Sequence, residues 1–282
     1  MSLDEERRQW EREALAVPLP SRIATSKEKI TGVECVWFSD NNATSSTVIL
    51  YAHGGGLVAG SVVTHRNFAA TLTTATEAPV LLINYRLLPE HQYPAPLEDM
   101  LSVYHSLISE HEYTPEQIVL GGDSSGAGLV LAALVQLKES NSPLPRCAFS
   151  ISGTFDMTLS GKSMNSSLAT DPLLSFAELE SWQKKYLHFD LKSPLLSALF
   201  ADLSNLPPIL LLAGGTERWL SDSVRVSQKI CDSSGEAYLR IWDCMGHVWT
   251  MDSKLKESGE AVKQITNFIA ERGSGLHSIT FV

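Results

Sequence analysis

Apolar residues recur along this chain in two alternating patterns. Short β-branched runs bounded by turn residues read as buried strands, and longer stretches with a 3.6-residue period read as helices. The strand-like runs are "GVECVWFS", which ends in a turn at 40–42, then "STVILYAHG", "APVLLINY", "QIVLGG", "RCAFSISG", "PPILLLAGG" and "EAYLRIWDC". Between them lie helical stretches: about Leu3 to Ala16, stopped by "VPLPS", then "HRNFAATLTTATE", "PLEDMLSVYHSLISEH", "GAGLVLAALVQLKES", and two more near Asp222–Ser233 and Leu255–Ala270. The fourth of these is apolar on nearly every side, so it is expected deep in the molecule. Continuous apolar strands alternating with helices predict a mostly parallel sheet covered on both faces, an α/β fold. Phe155 to Asn205 breaks the alternation with short helical pieces and no strand. The expectation is one α/β domain over 1–282, with cap elements from about 1–25 and 156–205.

Composition narrows the function. A net charge of −10 over 282 residues argues against a nucleic-acid partner, which needs a positive surface. No apolar run reaches the ~18–20 residues of a membrane span, and the charged "MSLDEERRQWEREALAV" lacks the core of a secretory signal. Four cysteines, Cys35, Cys147, Cys231 and Cys244, show no metal-ligand spacing. Reduced thiols and a cytoplasmic location are expected, with no metal or cofactor.

The chemistry gathers at strand ends. "VLGGDSSGAG" sets Ser124 between a strand and a helix, within Gly122-Asp123-Ser124-Ser125-Gly126, a G-x-S-x-G turn that would expose a nucleophile beside a helix N-terminus. Ser125 is one step out of that motif. A serine hydroxyl needs a base to take its proton. Among eight histidines, His247 in "WDCMGHVWTMD" follows the last strand and is the candidate; His65, His91, His105, His111 and His188 read as solvated or satisfied, and His277 lies in the tail. The base needs a carboxylate to hold its tautomer. Glu217 stands at a strand end in "LLLAGGTERWLSDS" and is preferred, with Asp222 as the alternative; either could instead cap the next helix. Both give the chain order Ser, acid, His of α/β-hydrolases, whereas a chymotrypsin-like reading of "GDSSG" would need the acid and histidine upstream in an all-β chain. "YAHGGGLVAGS" places His53-Gly54-Gly55-Gly56 after a core strand, where successive glycine N–H groups can turn towards one oxyanion and the Ser125 N–H can add a third donor. No phosphate-loop signature accompanies these glycines. His53 is expected to brace the loop.

In these motifs the chain resembles the bacterial hormone-sensitive-lipase-like esterases. The resemblance rests on "HGGG", "NYRLLPEHQYPAPLED", "GDSSGAG", "DMTLSGKSM" with "DPLLS", "SPLLSALFADLSNLPPILL" and "GHVW", in order from roughly Val48 to His247. It implies that the proline-rich stretch packs beneath the oxyanion loop, with Arg86, Glu90 and Asp99 as supporting residues alongside His53, Gly54 and Asp123. It implies hydrolysis of short- to medium-chain acyl esters, with amide or carbamate hydrolysis as the nearest alternative and a non-catalytic small-molecule receptor as the distant one. A homodimer through edge strands near the chain's end is implied by the same analogy. The chain departs from the family at "ERWLSD", where the family often carries D-P-L-x-D, and at Ser125, where alanine is common. Trp182, Tyr186, Phe189 and Phe200 could line an acyl pocket or simply pack in the core.

Overall fold

The computed structural model describes residues 2–41, 43, 45–166, 169–171 and 173–273. His277, Asn42 of the expected turn and Pro172 of "DPLLS" lie outside the described residues. The elements follow in the order α1 (Leu3–Leu15), β1 (Ile23–Ile30), β2 (Val33–Asp40), β3 (Val48–Ala52), α2 (Arg66–Thr76), β4 (Val80–Asn84), α3 (Ala95–Ser109), β5 (Ile118–Asp123), α4 (Ser124–Glu139), β6 (Cys147–Ile151), α5 (Phe176–Tyr186), β7 (Ile209–Gly214), α6 (Leu220–Asp232), β8 (Ala237–Trp242) and α7 (Lys256–Gly273). The eight strands form one sheet in the order β1-β2-β4-β3-β5-β6-β7-β8. From β4 to β8 every pairing is parallel; β1–β2 and β2–β4 are antiparallel.

Alternation across the sheet explains the continuous apolar runs. In β3, Val48, Leu50 and Ala52 join one core cluster while Ile49 and Tyr51 join the other. The first cluster holds the buried faces of α3, α4 and α6, and the second those of α2 and α7. Helices therefore cover both faces, as parallel strands require. Every residue of α4 from Ser125 to Val135 is buried, in line with its apolar sequence.

Strand β1 is the element that the hydrophobic pattern did not signal. "IATSKEKI" has large apolar residues only at its two ends, and the positions between them are mostly polar and largely exposed. Its register is set instead by the turn at Thr31 (φ +49°) and Gly32 (φ +94°), two left-handed residues joining Ile30 to Val33. That is the type I′ geometry that matches the twist of a hairpin. As the outermost strand of the sheet, β1 protects its edge with Lys27, Glu28 and Lys29.

The segment from Phe155 to Asn205 contains α5 and no strand among the described residues. It is tied down by Arg218, which donates to the carbonyls of Leu174 and Met164, both at 2.6 Å. Among the described residues no helix is long and apolar enough to cross a membrane.

Candidate active site

Three loops at the carboxyl ends of β5, β7 and β8 converge on one point. The first is the turn from β5 into α4. It is so tight that a Cβ on Gly126 would lie 2.1 Å from the Ala52 carbonyl oxygen and 2.4 Å from that of His53. Only hydrogen fits there. Ser124, at the crest, is held at φ +49°, a strained conformation for a serine. Its Oγ lies 2.8 Å from His247 Nε2. The second loop delivers Glu217, whose Oε2 lies 3.6 Å from His247 Nδ1. The loops carrying Glu217 and His247 are joined by Thr216, whose N–H and hydroxyl both donate to the Met245 carbonyl, at 3.1 and 2.8 Å.

Asp222, the alternative carboxylate, is committed elsewhere. It accepts the N–H groups of Phe155 at 2.9 Å and Asp156 at 2.8 Å, and Arg225 closes on its other oxygen at 2.6 Å. Its place is structural: it joins α6 to the start of the inserted segment. Glu217 is fully buried, and neither of its oxygens makes a hydrogen bond of normal geometry among the described residues. Burial raises its carboxyl pKa, against the pull of His247 and the Ser152 hydroxyl.

The glycine loop follows β3. Gly54 N–H donates to Asp123 Oδ1 at 3.0 Å, and Leu57 N–H donates to Ser125 Oγ at 3.2 Å. That arrangement leaves the Gly55 and Gly56 N–H groups between two anchored neighbours. Gly55 sits at φ +121°, a conformation reserved for glycine. His53 donates from Nδ1 to the Gly54 carbonyl at 2.7 Å and stacks on Tyr85 with ring centroids 4.2 Å apart. Burial lowers the His53 pKa to about 3, so the ring is neutral at working pH. Ser125 Oγ at the family's alanine position thus serves as a brace, while its N–H opens α4, where the helix dipole favours negative charge.

The proline-rich stretch carries the residues expected to support this loop. Tyr85 donates its hydroxyl to the His53 carbonyl at 2.6 Å, and Leu88 N–H donates to the Leu57 carbonyl at 2.8 Å. Asp99 binds Arg86 through its backbone N–H and guanidinium, both at 2.8 Å. Glu90 instead reaches α1, pairing with Arg7 at 2.8 Å; Arg7 also donates to the Val58 and Leu88 carbonyls at 2.7 and 2.8 Å.

A cavity of about 730 Å³ opens above Ser124 and His247. Trp10 of α1, Trp182 of α5 and Trp219 stand in its wall beside Gly55 and Gly56. Of the four aromatic residues considered for an acyl pocket, Trp182 faces this cavity, Tyr186 and Phe189 pack against the core, and Phe200 is 40% exposed. His65, read from sequence as a solvated or satisfied side chain, is satisfied in the cavity wall, with Nδ1 2.8 Å from Thr64 Oγ1 and Nε2 3.3 Å from Asp123 Oδ2. Burial alone would raise the Asp123 carboxyl, but His65 and the Tyr51 hydroxyl hold it below its usual range. Among the described residues no cluster of histidine, cysteine and carboxylate side chains could hold a metal ion, and the four cysteines are free.

Residues 49–251 match the family described as the alpha/beta hydrolase fold. The chain belongs to the α/β-hydrolases. Within that superfamily it sits with the bacterial hormone-sensitive-lipase esterases. A solved esterase of that family is 36% identical, with a TM-score of 0.93 over 97% of this chain and 93% of the other. The esterase EstE5, in crystals soaked with p-nitrophenyl butyrate, is 33% identical with a TM-score of 0.91 over 97% and 92%. An acetyl-hydrolase of Streptomyces hygroscopicus is 36% identical over 228 residues, 80% of this α/β-hydrolase and 76% of the relative.

Arg7 and Ser152 near the site went unnoticed in the sequence, and His65 was weighed only as a solvated or satisfied side chain. Arg7 lies in a helix that reads as a charged surface helix. His65 follows a loop with no motif. Ser152 closes a strand whose pattern describes only packing. A strand-end position was the available signal for Ser152, the same signal that singled out Ser124 and Glu217.

Proposed function

We propose that this α/β-hydrolase is a serine carboxylic ester hydrolase working through an acyl-enzyme, with Ser124 as nucleophile, His247 as base and Glu217 as the orienting acid. One observation carries the reading: a strained serine hydroxyl lies 2.8 Å from an imidazole nitrogen on the floor of a cavity bordered by the glycine loop. Attack of Ser124 Oγ on the acyl carbon passes its proton to His247 Nε2. The negative charge that develops on the carbonyl oxygen is met by the N–H groups of Gly55, Gly56 and Ser125. His247 then returns the proton to the leaving alkoxide, which departs as an alcohol. Water, deprotonated by the same imidazole, cleaves the acyl-serine and releases the carboxylic acid.

The cavity volume lies within the ~300–1,000 Å³ of small-molecule sites and favours short- to medium-chain acyl esters. The segments 1–25 and 156–205 act as a cap, each supplying a tryptophan to the cavity wall. Two copies would pair through the free edge of β8, the last strand of the sheet, where Ile241 is 46% exposed. The buried free thiols of Cys35 and Cys147 suit a reducing cytoplasm.

The test is turnover of p-nitrophenyl acetate, butyrate and palmitate by wild type and Ser124→Ala. Wild type should favour acetate or butyrate, and the variant should lose at least about 10³-fold in kcat. Equal turnover by the two proteins would remove Ser124 from the reaction. Faster cleavage of a matched anilide than of the ester would replace the ester by an amide as substrate.

A further inference from the structure

We infer that the Ser152 hydroxyl is a positioning group for the acid–base pair, fixing the His247 loop beside Glu217. The inference rests on the ester-hydrolase reading and adds a residue that neither the motifs nor the proposed reaction uses.

Ser152 directly follows β6, and β6 lies between β5 and β7 in the sheet. Its loop therefore emerges between the loop carrying Ser124 and the loop carrying Glu217. The residue is fully buried and sits at φ +51°, and its N–H donates to the Leu212 carbonyl at 2.8 Å. Its Oγ accepts the Val248 N–H at 3.0 Å. Val248, the residue after His247, is itself at φ +49°. A β-branched residue in the left-handed region is a true outlier, and such a conformation persists only where its surroundings over-determine it. Ser152 is one of the groups that does so.

A serine hydroxyl that accepts one hydrogen bond still has a proton to place. The loop that carries Glu217 emerges beside it, and the nearness of the Ser152 hydroxyl favours the ionised form of that acid against the effect of burial. Nearby charges are occupied: Arg218 binds the Leu174 and Met164 carbonyls, and Asp222 binds Arg225. His247 is the ionisable group that faces Glu217. One hydroxyl thus fixes the backbone next to the base and bears on the ionised form of the acid. Ser150, two residues earlier on β6, shows that burial does not by itself wire a serine, because its Oγ has no partner among the described residues.

The experiment compares wild type, Ser152→Ala and Ser152→Gly. Alanine removes the hydroxyl and keeps the backbone demand; glycine removes the hydroxyl and relieves that demand, so at least one variant folds without added strain. Both should lower kcat about 10- to 100-fold, the size of one hydrogen bond to a charged group, with KM changed by less than about twofold. Both should move the acid limb of the kcat/KM profile to higher pH by roughly 0.5–1 unit, because an acid–base pair deprived of this nearby hydroxyl takes up its first proton more readily. A residue that only filled space would change thermal stability and leave the acid limb in place. A folded Ser152→Gly enzyme with wild-type kcat and an unmoved acid limb overturns the inference. If wild type cleaves no ester, the proposed function fails, but the low-field proton resonance of His247 Nδ1 remains readable. Its displacement in Ser152→Gly would support the positioning role, and an unchanged resonance would refute it.

Discussion

Two acids follow β7, both buried, and their environments assign them to different tasks, so the pair Glu217→Gln and Asp222→Ala should separate activity from stability. Asp222→Ala removes the acceptor of two backbone N–H groups and the partner of Arg225. Each orphaned N–H costs about 1 kcal/mol or more, and the charge-assisted bond adds about 1.5–3 kcal/mol, reduced because the Arg225 side chain is 32% exposed. The total is roughly 3–5 kcal/mol. At about 2–3 °C per kcal/mol for a chain of this length, the melting temperature should fall by roughly 6–15 °C while the surviving folded enzyme keeps kcat within a few-fold. Glu217→Gln should do the reverse. Turnover should fall by about 10³- to 10⁴-fold, the usual cost of losing the acid that fixes the imidazole. Stability should hold or rise, because burial makes the ionised carboxylate costly. The folded pKa of Glu217 lies above its unfolded value of 4.5, so its stability contribution is fully present below 4.5 and is lost as pH rises through the folded value. The melting-temperature difference between Glu217→Gln and wild type should therefore grow in favour of the variant as pH rises above 4.5. Calorimetry across pH and p-nitrophenyl ester turnover read the two quantities separately. If Asp222→Ala abolishes turnover with an unchanged melting temperature while Glu217→Gln stays within tenfold of wild type, the assignment of the acid is wrong.

Other outcomes follow from contacts that do not touch the substrate. Gly126→Ala drives a methyl group into two carbonyl oxygens on fixed backbone, at 2.1 and 2.4 Å, and should cost at least about 3 kcal/mol or prevent folding, as expression and denaturant titration would reveal. Gly259→Ala in α7 meets nothing within 4 Å and should stabilise by roughly 0.5–1 kcal/mol; a loss of stability would mean the helix is distorted there. Arg7→Ala unties α1 from Glu90 and from the Val58 and Leu88 carbonyls, and should raise KM several-fold with a smaller change in kcat, at a stability cost of about 1 kcal/mol. Equal KM values for wild type and Arg7→Ala would show that the position of Trp10 is irrelevant to substrate.

The sheet was legible because parallel strands are buried on both faces. Runs such as "STVILYAHG" and "QIVLGG" contain few polar residues to blur them, and each matches a strand of the structure. Strand β1 was not legible, since an outer strand with a solvated surface carries little apolar signal; "TG" at 31–32 was its one mark. Site residues set by local backbone chemistry were readable for the same reason. A glycine on each side of Ser124, or three glycines after a strand, records a steric demand in the sequence itself. Glu217 and Asp222 were harder to separate, because what distinguishes them is the far side of the contact: the N–H groups of Phe155 and Asp156 are more than sixty positions away. The contacts of His65 and Ser152 were hidden for that reason too. Their partners, Asp123 at the end of β5 and Val248 after His247, lie far away in the sequence.

The bracing of the glycine loop shows why so much polar structure surrounds so small a site. Three successive glycines lose more conformational freedom on ordering than any other residues, so a loose loop would have to be ordered again in each catalytic cycle. Here the loop is fixed at both ends before substrate arrives. His53 is stacked on Tyr85 and Gly54 is bonded to Asp123 on one side; Leu57 is gripped by Ser125 Oγ and Leu88 N–H on the other. These braces come from α4, from the β5 terminus and from the proline-rich stretch after β4, segments far apart in sequence that the sheet alone brings together. The ordering cost is thus met during folding, by contacts in which the substrate takes no part. What remains for the proposed reaction is the part that counts in a transition state: the N–H groups of Gly55 and Gly56, on a loop already fixed when charge appears. The added hydroxyl at Ser125 fits that logic, since it grips Leu57 from the residue whose N–H would be the third donor in the proposed reaction, locking that residue to the glycine loop.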